Sequence, residues 1–153
     1  MREAERIADQ LKRAFEGNAW HGPALGEVLT GVTAPEAAAR PVGAAHSIWE
    51  MVLHVAAWEG AVAVRLSGTA LELPPEGDWP PVTDTSPAAW ESALTALRAA
   101  NLELRRRMLE LPDAGLEQNA PGCGYSMYVL AHGVVQHDLY HAGQIALLKK
   151  ALR

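Results

Sequence analysis

The chain has 153 residues, 49% hydrophobic and 20% charged, with a formal net charge of −5. That length suits one domain with a real core and is short for two, and the acidic balance argues against the basic face that a nucleic-acid partner requires. The one cysteine, Cys123, excludes an internal disulfide and any cysteine-rich metal site.

No stretch approaches the ~18–20 consecutive apolar residues of a membrane-spanning helix. The opening Met1-Arg2-Glu3-Ala4-Glu5-Arg6 is charged and runs straight into an amphipathic pattern, with no apolar signal-peptide core. The expectation is a cytoplasmic protein with neither nucleic-acid nor membrane partners.

Ala4, Ile7, Ala8, Leu11, Ala14 and Phe15 fall on one side of a first amphipathic helix that ends near Gly17-Asn18. From Trp20 to Pro41 the chain is broken by glycine and proline, and only short turns fit, around Leu25–Leu29 and Pro35–Arg40. Thr33-Ala34-Pro35-Glu36 has the capping-box pattern with proline in the first turn.

A second long helix opens at Ser47-Ile48-Trp49-Glu50, another capping box, and runs to about Leu66. It is apolar on most sides, so it needs several neighbours, and a homodimer is one way to supply them. His54 sits within it, flanked on its own face by Met51 and Trp58.

Gly68 to Ser86, with Pro74-Pro75 and Pro80-Pro81, exceeds an ordinary loop and is expected to pack across the bundle with Trp79 as its anchor. Ser86-Pro87 then starts a third helix, in which Trp90, Ala93, Leu94, Leu97, Asn101, Leu104, Met108 and Leu111 keep a 3–4 repeat up to Pro112. Asn101 interrupts that seam, and Arg105-Arg106-Arg107 beside Glu103 and Glu110 is a solvated face. The fourth helix starts near Ser126 and continues to the end. With no strand pattern and no fixed-period repeat, the economical fold is an all-α four-helix bundle, up-and-down or crossover, occupying residues 1–153 as one domain.

The chemistry is concentrated in histidines. Leu130, Val134, His137, His141, Ile145 and Leu148 follow the period of a buried stripe, so two imidazoles four residues apart are set into an apolar seam. Side chains at that spacing share a face, roughly 5–6 Å apart at Cβ. His132 projects about 140° away from His137, and His21 and His46 lie in connecting segments. His54, His137 and His141 remain, supplied by two helices. Three neutral imidazoles hold a transition metal through nitrogen and leave a position for water or substrate. His137 is followed by Asp138, so the His-Glu-x-x-His pair of zinc proteases is not formed. No general base is indicated.

Three segments carry a family resemblance. Trp20-His21-Gly22-Pro23, the run from His46 to Glu59 (HSIWEMVLHVAAWE), and His137-Asp138-Leu139-Tyr140-His141-Ala142-Gly143-Gln144-Ile145 resemble the DinB-like superfamily. The resemblance spans nearly the whole chain, and the closing motif is its specific part. It implies a four-helix bundle with a long crossover, and a divalent metal, zinc or nickel, on His54, His137 and His141. It also implies a small-molecule substrate, a low-molecular-weight thiol cosubstrate such as mycothiol or bacillithiol, and a homodimer. The reaction implied is thiol-dependent S-transfer. The same open position suits metal-dependent hydrolysis, and a non-enzymatic metal-stapled binding or stress-response protein is a further alternative.

Each ligating imidazole needs a partner for its other ring nitrogen. Glu50, Asn101, Gln144 and Tyr140 are the candidates, with Trp58 as a wall of the pocket. Cys123, in a glycine-rich turn, is expected to be incidental.

Overall fold

The computed structural model describes residues 1–153 as seven helices: α1 (Glu3–Glu16), α2 (Leu25–Leu29), α3 (Ala34–Ala38), α4 (Ile48–Leu66), α5 (Pro87–Glu110), α6 (Asp113–Leu116) and α7 (Met127–Ala151). The long helices start where the sequence offers an oxygen to free backbone N–H groups. Ser47 Oγ accepts from the Glu50 amide at 3.1 Å while Glu50 Oε2 accepts from the Ser47 amide at 2.7 Å. Ser86 and Ser126 cap α5 and α7 by the first kind of bond alone, accepting from the Ala89 and Val129 amides. No helix is long and apolar enough to cross a membrane.

The chain direction follows from how two apolar clusters share the helices. The upper cluster takes Phe15 from α1, Ile48 to Val55 from α4, Trp90 to Leu97 from α5 and Ala142 to Leu148 from α7. The lower one takes Ile7 to Leu11, Val62 to Leu66, Leu104 to Met108 and Met127 to Val134. So α1 and α7 rise from lower to upper, while α4 and α5 both descend. Two parallel neighbours cannot be joined by a tight turn, and residues 67–86 therefore return along the whole bundle as the expected crossover. Trp79 and Val82 pack that connection onto the upper cluster. α4 packs against both α5 and α7, and Val64 is its one exposed residue. Much of its apolar surface is thus covered by neighbouring helices, while Leu53, Ala56 and Trp58 stay half-buried.

A polar layer separates the two clusters. Glu59 of α4, Asn101 of α5 and Asp138 of α7 are all buried, with exposures of 0%, 1% and 0%. Asn101 Nδ2 donates to Glu59 Oε1 at 2.7 Å, and Arg105, which reaches Asn101 Oδ1 at 3.4 Å, continues outward to Glu16. Glu59 Oε2 and both Asp138 oxygens find no donor among the protein's fixed hydrogens. Burial raises the affinity of both carboxyls for protons, and Asp138 is pushed well above the ordinary carboxylate range. A proton held on Asp138 and donated to Glu59 satisfies Glu59 Oε2 and one of the two Asp138 oxygens that are otherwise orphaned.

Glu59 is pushed by burial from 4.5 to about 7. Its raised folded-state value makes its contribution to stability complete below pH 4.5 and lost as pH rises through about 7. Glu59→Gln keeps the shape, accepts from Asn101 and donates to Asp138. Thermal unfolding across that window should show the variant gaining on the parent as pH rises, by on the order of 2 kcal/mol at the alkaline end. Parallel stability curves for variant and parent would contradict the buried-proton account.

Candidate metal centre

His54 lies one helical turn from both Met51 and Trp58, on the side of α4 that faces α7 and the crossover. The crossover decides its protonation. His54 Nδ1 donates to the main-chain carbonyl of Asp78 at 2.5 Å, and a carbonyl only accepts, so the hydrogen sits on Nδ1 and the Nε2 lone pair is free. The Asp78 carboxylate lies 3.4 Å from the same Nδ1 and accepts from Trp58 Nε1 at 2.8 Å. The next residue, Trp79, stacks on His54 at 3.9 Å between ring centres, and its indole also stacks on His46 at 3.5 Å. Asp78 and Trp79 together fix the ring's tautomer and its plane.

Across from it, α7 presents His137 and His141. His54 Nε2 and His137 Nε2 face each other at 2.9 Å, and each of the three histidines offers a nitrogen within 4.8 Å of the others'. Around one tetrahedral ion bound at ~2.0–2.1 Å, ligand nitrogens lie about 3.3 Å apart. Small side-chain rotations bring the three to that spacing, so the residues fit a metal ion. His137 Nδ1 and His141 Nδ1 are buried without a hydrogen-bond partner, which leaves imidazole donors uncommitted.

Burial also keeps the cluster neutral. It lowers His137 and His141 from 6.5 to about 4, with neighbouring imidazoles adding to the effect on each. It lowers His54 too, against the opposing hydrogen bond and charge of Asp78. Neutral imidazole is the form that binds metal. The three differ in access. His54 and His141 are buried, whereas the His137 side chain is 27% exposed. Its open side borders a cavity of about 240 Å³ walled by Trp58, Val62, Val134 and Arg65.

The other candidates go elsewhere. Glu50 is used by the α4 cap and by Arg40, and Asn101 serves Glu59 rather than an imidazole. Gln144 lies beside His141 and opposes the loss of its proton, and the Tyr140 ring meets His141 edge-on at 5.2 Å. Trp58 lines the cavity as expected. His132 faces Glu3 and Tyr128, away from the cluster. His21 contacts the Pro23 carbonyl. His46, expected to be a local or solvent contact, also backs Trp79. Asp78, Arg65 and the Glu59–Asp138 pair had not been singled out. Asp78 works largely through its main chain, which no side-chain pattern signals.

Among known families, the DinB superfamily matches residues 19–145. No curated protein and no solved structure gives a significant match.

The lowered histidines set the pH range of metal binding. Protons compete only as pH falls through the folded-state values, about 4 for His137 and His141. Zinc affinity measured by competition with a chromophoric chelator should therefore stay nearly flat from neutral pH to about 5 and fall steeply below. A loss that begins near 6.5, the ordinary imidazole value, would show that the three rings are not desolvated as described.

Proposed function

The chain belongs to the DinB superfamily, and from that premise we propose that it is a metal-dependent enzyme of the thiol S-transferase type. Zinc or nickel is held by His54, His137 and His141. The observation that carries this reading is the meeting of three neutral imidazoles with a largely apolar cavity on the exposed side of His137. Such a site has a position for a reacting ligand, which favours it over a closed structural staple.

A divalent metal bound there supplies a Lewis-acidic position at which a low-molecular-weight thiol ionises near neutral pH. The chain supplies the rest. Asp78 holds the His54 proton on Nδ1 so that Nε2 points inward. Trp79 covers the far face of that ring and keeps water from it. Trp58 and Val62 give an electrophilic small molecule an apolar wall to lie against. No carboxylate lines the cavity, which favours a nucleophile that arrives already ionised over a hydrolysis that relies on a general base. The same reading takes the protein as cytoplasmic and homodimeric. Val129, Tyr140 and Leu147, each more than half exposed along one line of α7, support pairing with a second copy.

Purification without a histidine tag, followed by elemental analysis, should give close to one equivalent of zinc or nickel per chain. His141→Ala should lower affinity on the order of a hundredfold or more, while His132→Ala leaves it unchanged. Loading with cobalt(II) and adding bacillithiol or mycothiol should produce a sulfur-to-cobalt charge-transfer band. Failure to take up metal would refute the site, and a loaded protein indifferent to every thiol would refute the S-transferase reading.

A further inference from the structure

Arg65 is the one charged side chain in the wall of the cavity beside His137, and it is only 5% exposed. No carboxylate lies within ion-pair distance of it, although the chain carries 18 acidic residues. Its Nε and Nη2 donate to the carbonyls of Leu71, at 2.8 and 2.6 Å, and of Glu72, at 3.0 Å. These bonds account for three of the five guanidinium N–H groups. They fix the fork in place; Nη1 makes none of these bonds and stays on the cavity side, where the Tyr125 phenol of the same wall also interacts with the Arg65 cation. Carbonyl dipoles offset part of the charge, but a buried cation without a counter-ion is costly.

The surroundings define what fits. The Arg65 guanidinium carbon lies 5.6 Å from the Trp58 ring centre, so the charge and a flat apolar wall sit side by side. On the opposite wall Gly133 has nothing within 4 Å of where a Cβ would be; the missing side chain is part of the empty space. A volume of about 240 Å³, open to solvent on one side, is below the range usual for drug-sized ligands and suits a compact molecule.

We propose that this cavity binds a small organic carboxylate. Its carboxylate accepts from Nη1 of Arg65, its apolar or aromatic body lies along Trp58 and Val62, and its reacting end is directed to His137. The last part rests on the metal-site reading above, whereas the recognition of the anion by Arg65 does not. Arg65 would otherwise be a tether for the crossover alone, and a tether has no preference among ligands.

The test uses matched probes on the full chain, phenylacetate and its neutral amide, phenylacetamide, titrated calorimetrically and by tryptophan fluorescence. On metal-free protein phenylacetate should bind about tenfold or more tightly than phenylacetamide, as expected for a hydrogen bond to a charged group. Arg65→Gln should bring the two probes level. Gly133→Leu leaves Arg65 intact, adds a better helix former and fills the space, so it should abolish binding of both. On cobalt(II)-loaded protein phenylacetate should also perturb the visible spectrum. Equal affinity for acid and amide, no binding of the acid, a preference that survives Arg65→Gln, or indifference to Gly133→Leu would each overturn the proposal. An anion preference without any cobalt perturbation would overturn the placement of the reacting end. Because the first arm contains no metal, its outcome is independent of whether the histidines hold one.

Discussion

The hydrogen bond from His54 Nδ1 to the carbonyl of Asp78 is the contact on which the site depends. It exists because α4 and α5 run parallel, which forces residues 67–86 back along the bundle and past the middle of α4. A shorter connection between antiparallel helices would leave His54 to choose its own tautomer. With the proton fixed on Nδ1, Nε2 is committed inward against His137, and stacking of Trp79 on the ring sets its plane. Crossover topology and site chemistry are therefore one constraint. The topology supplies an acceptor at the height of the histidines, and the acceptor leaves the Nε2 lone pair of His54 free.

At the same height the interior carries a second polar group set, Glu59, Asn101 and Asp138. Asp138 and His137 are consecutive on α7, so one points to the bundle axis and the other to the crossover side. Apolar residues at the three interior positions would remove the burial penalty that raises both carboxyls, and such replacements are often neutral or stabilising. What the polar set provides is a register mark, since its hydrogen bonds form only when α4, α5 and α7 stand at one relative height. The histidine cluster requires that same alignment of α4 with α7.

Much of this was legible in the residues. Ser47, Ser86 and Ser126, each before a 3–4 apolar repeat, gave the three longest helices within a residue or so of their observed starts. The length and proline content of 68–86 indicated a connection packed across the bundle, the crossover itself was implied by the family resemblance, and two parallel helices explain why that length is needed. The four-residue step from His137 to His141 and the lone His54 in an apolar helix pointed to residues that do meet. What stayed hidden was pairing between helices. Asn101 stood out as a polar break in its seam, but periodicity says only that it is buried, not which neighbour it meets, and that neighbour is Glu59. Arg65 lies near the end of an apolar helix, where a wet cation is the ordinary expectation. Only the fold shows it turned inward to the carbonyls of Leu71 and Glu72. Asp78 acts through a carbonyl that every residue has.

If His54, His137 and His141 hold one metal, they leave a coordination position open. X-ray absorption at the metal edge, on protein purified without a tag, measures this directly. The spectrum should show three imidazole nitrogens at about 2.0–2.1 Å if the metal is zinc, with a remaining light-atom ligand that is replaced by sulfur when a low-molecular-weight thiol is added. A closed shell of four protein ligands that no thiol alters, or a metal with fewer than three imidazoles, would contradict it.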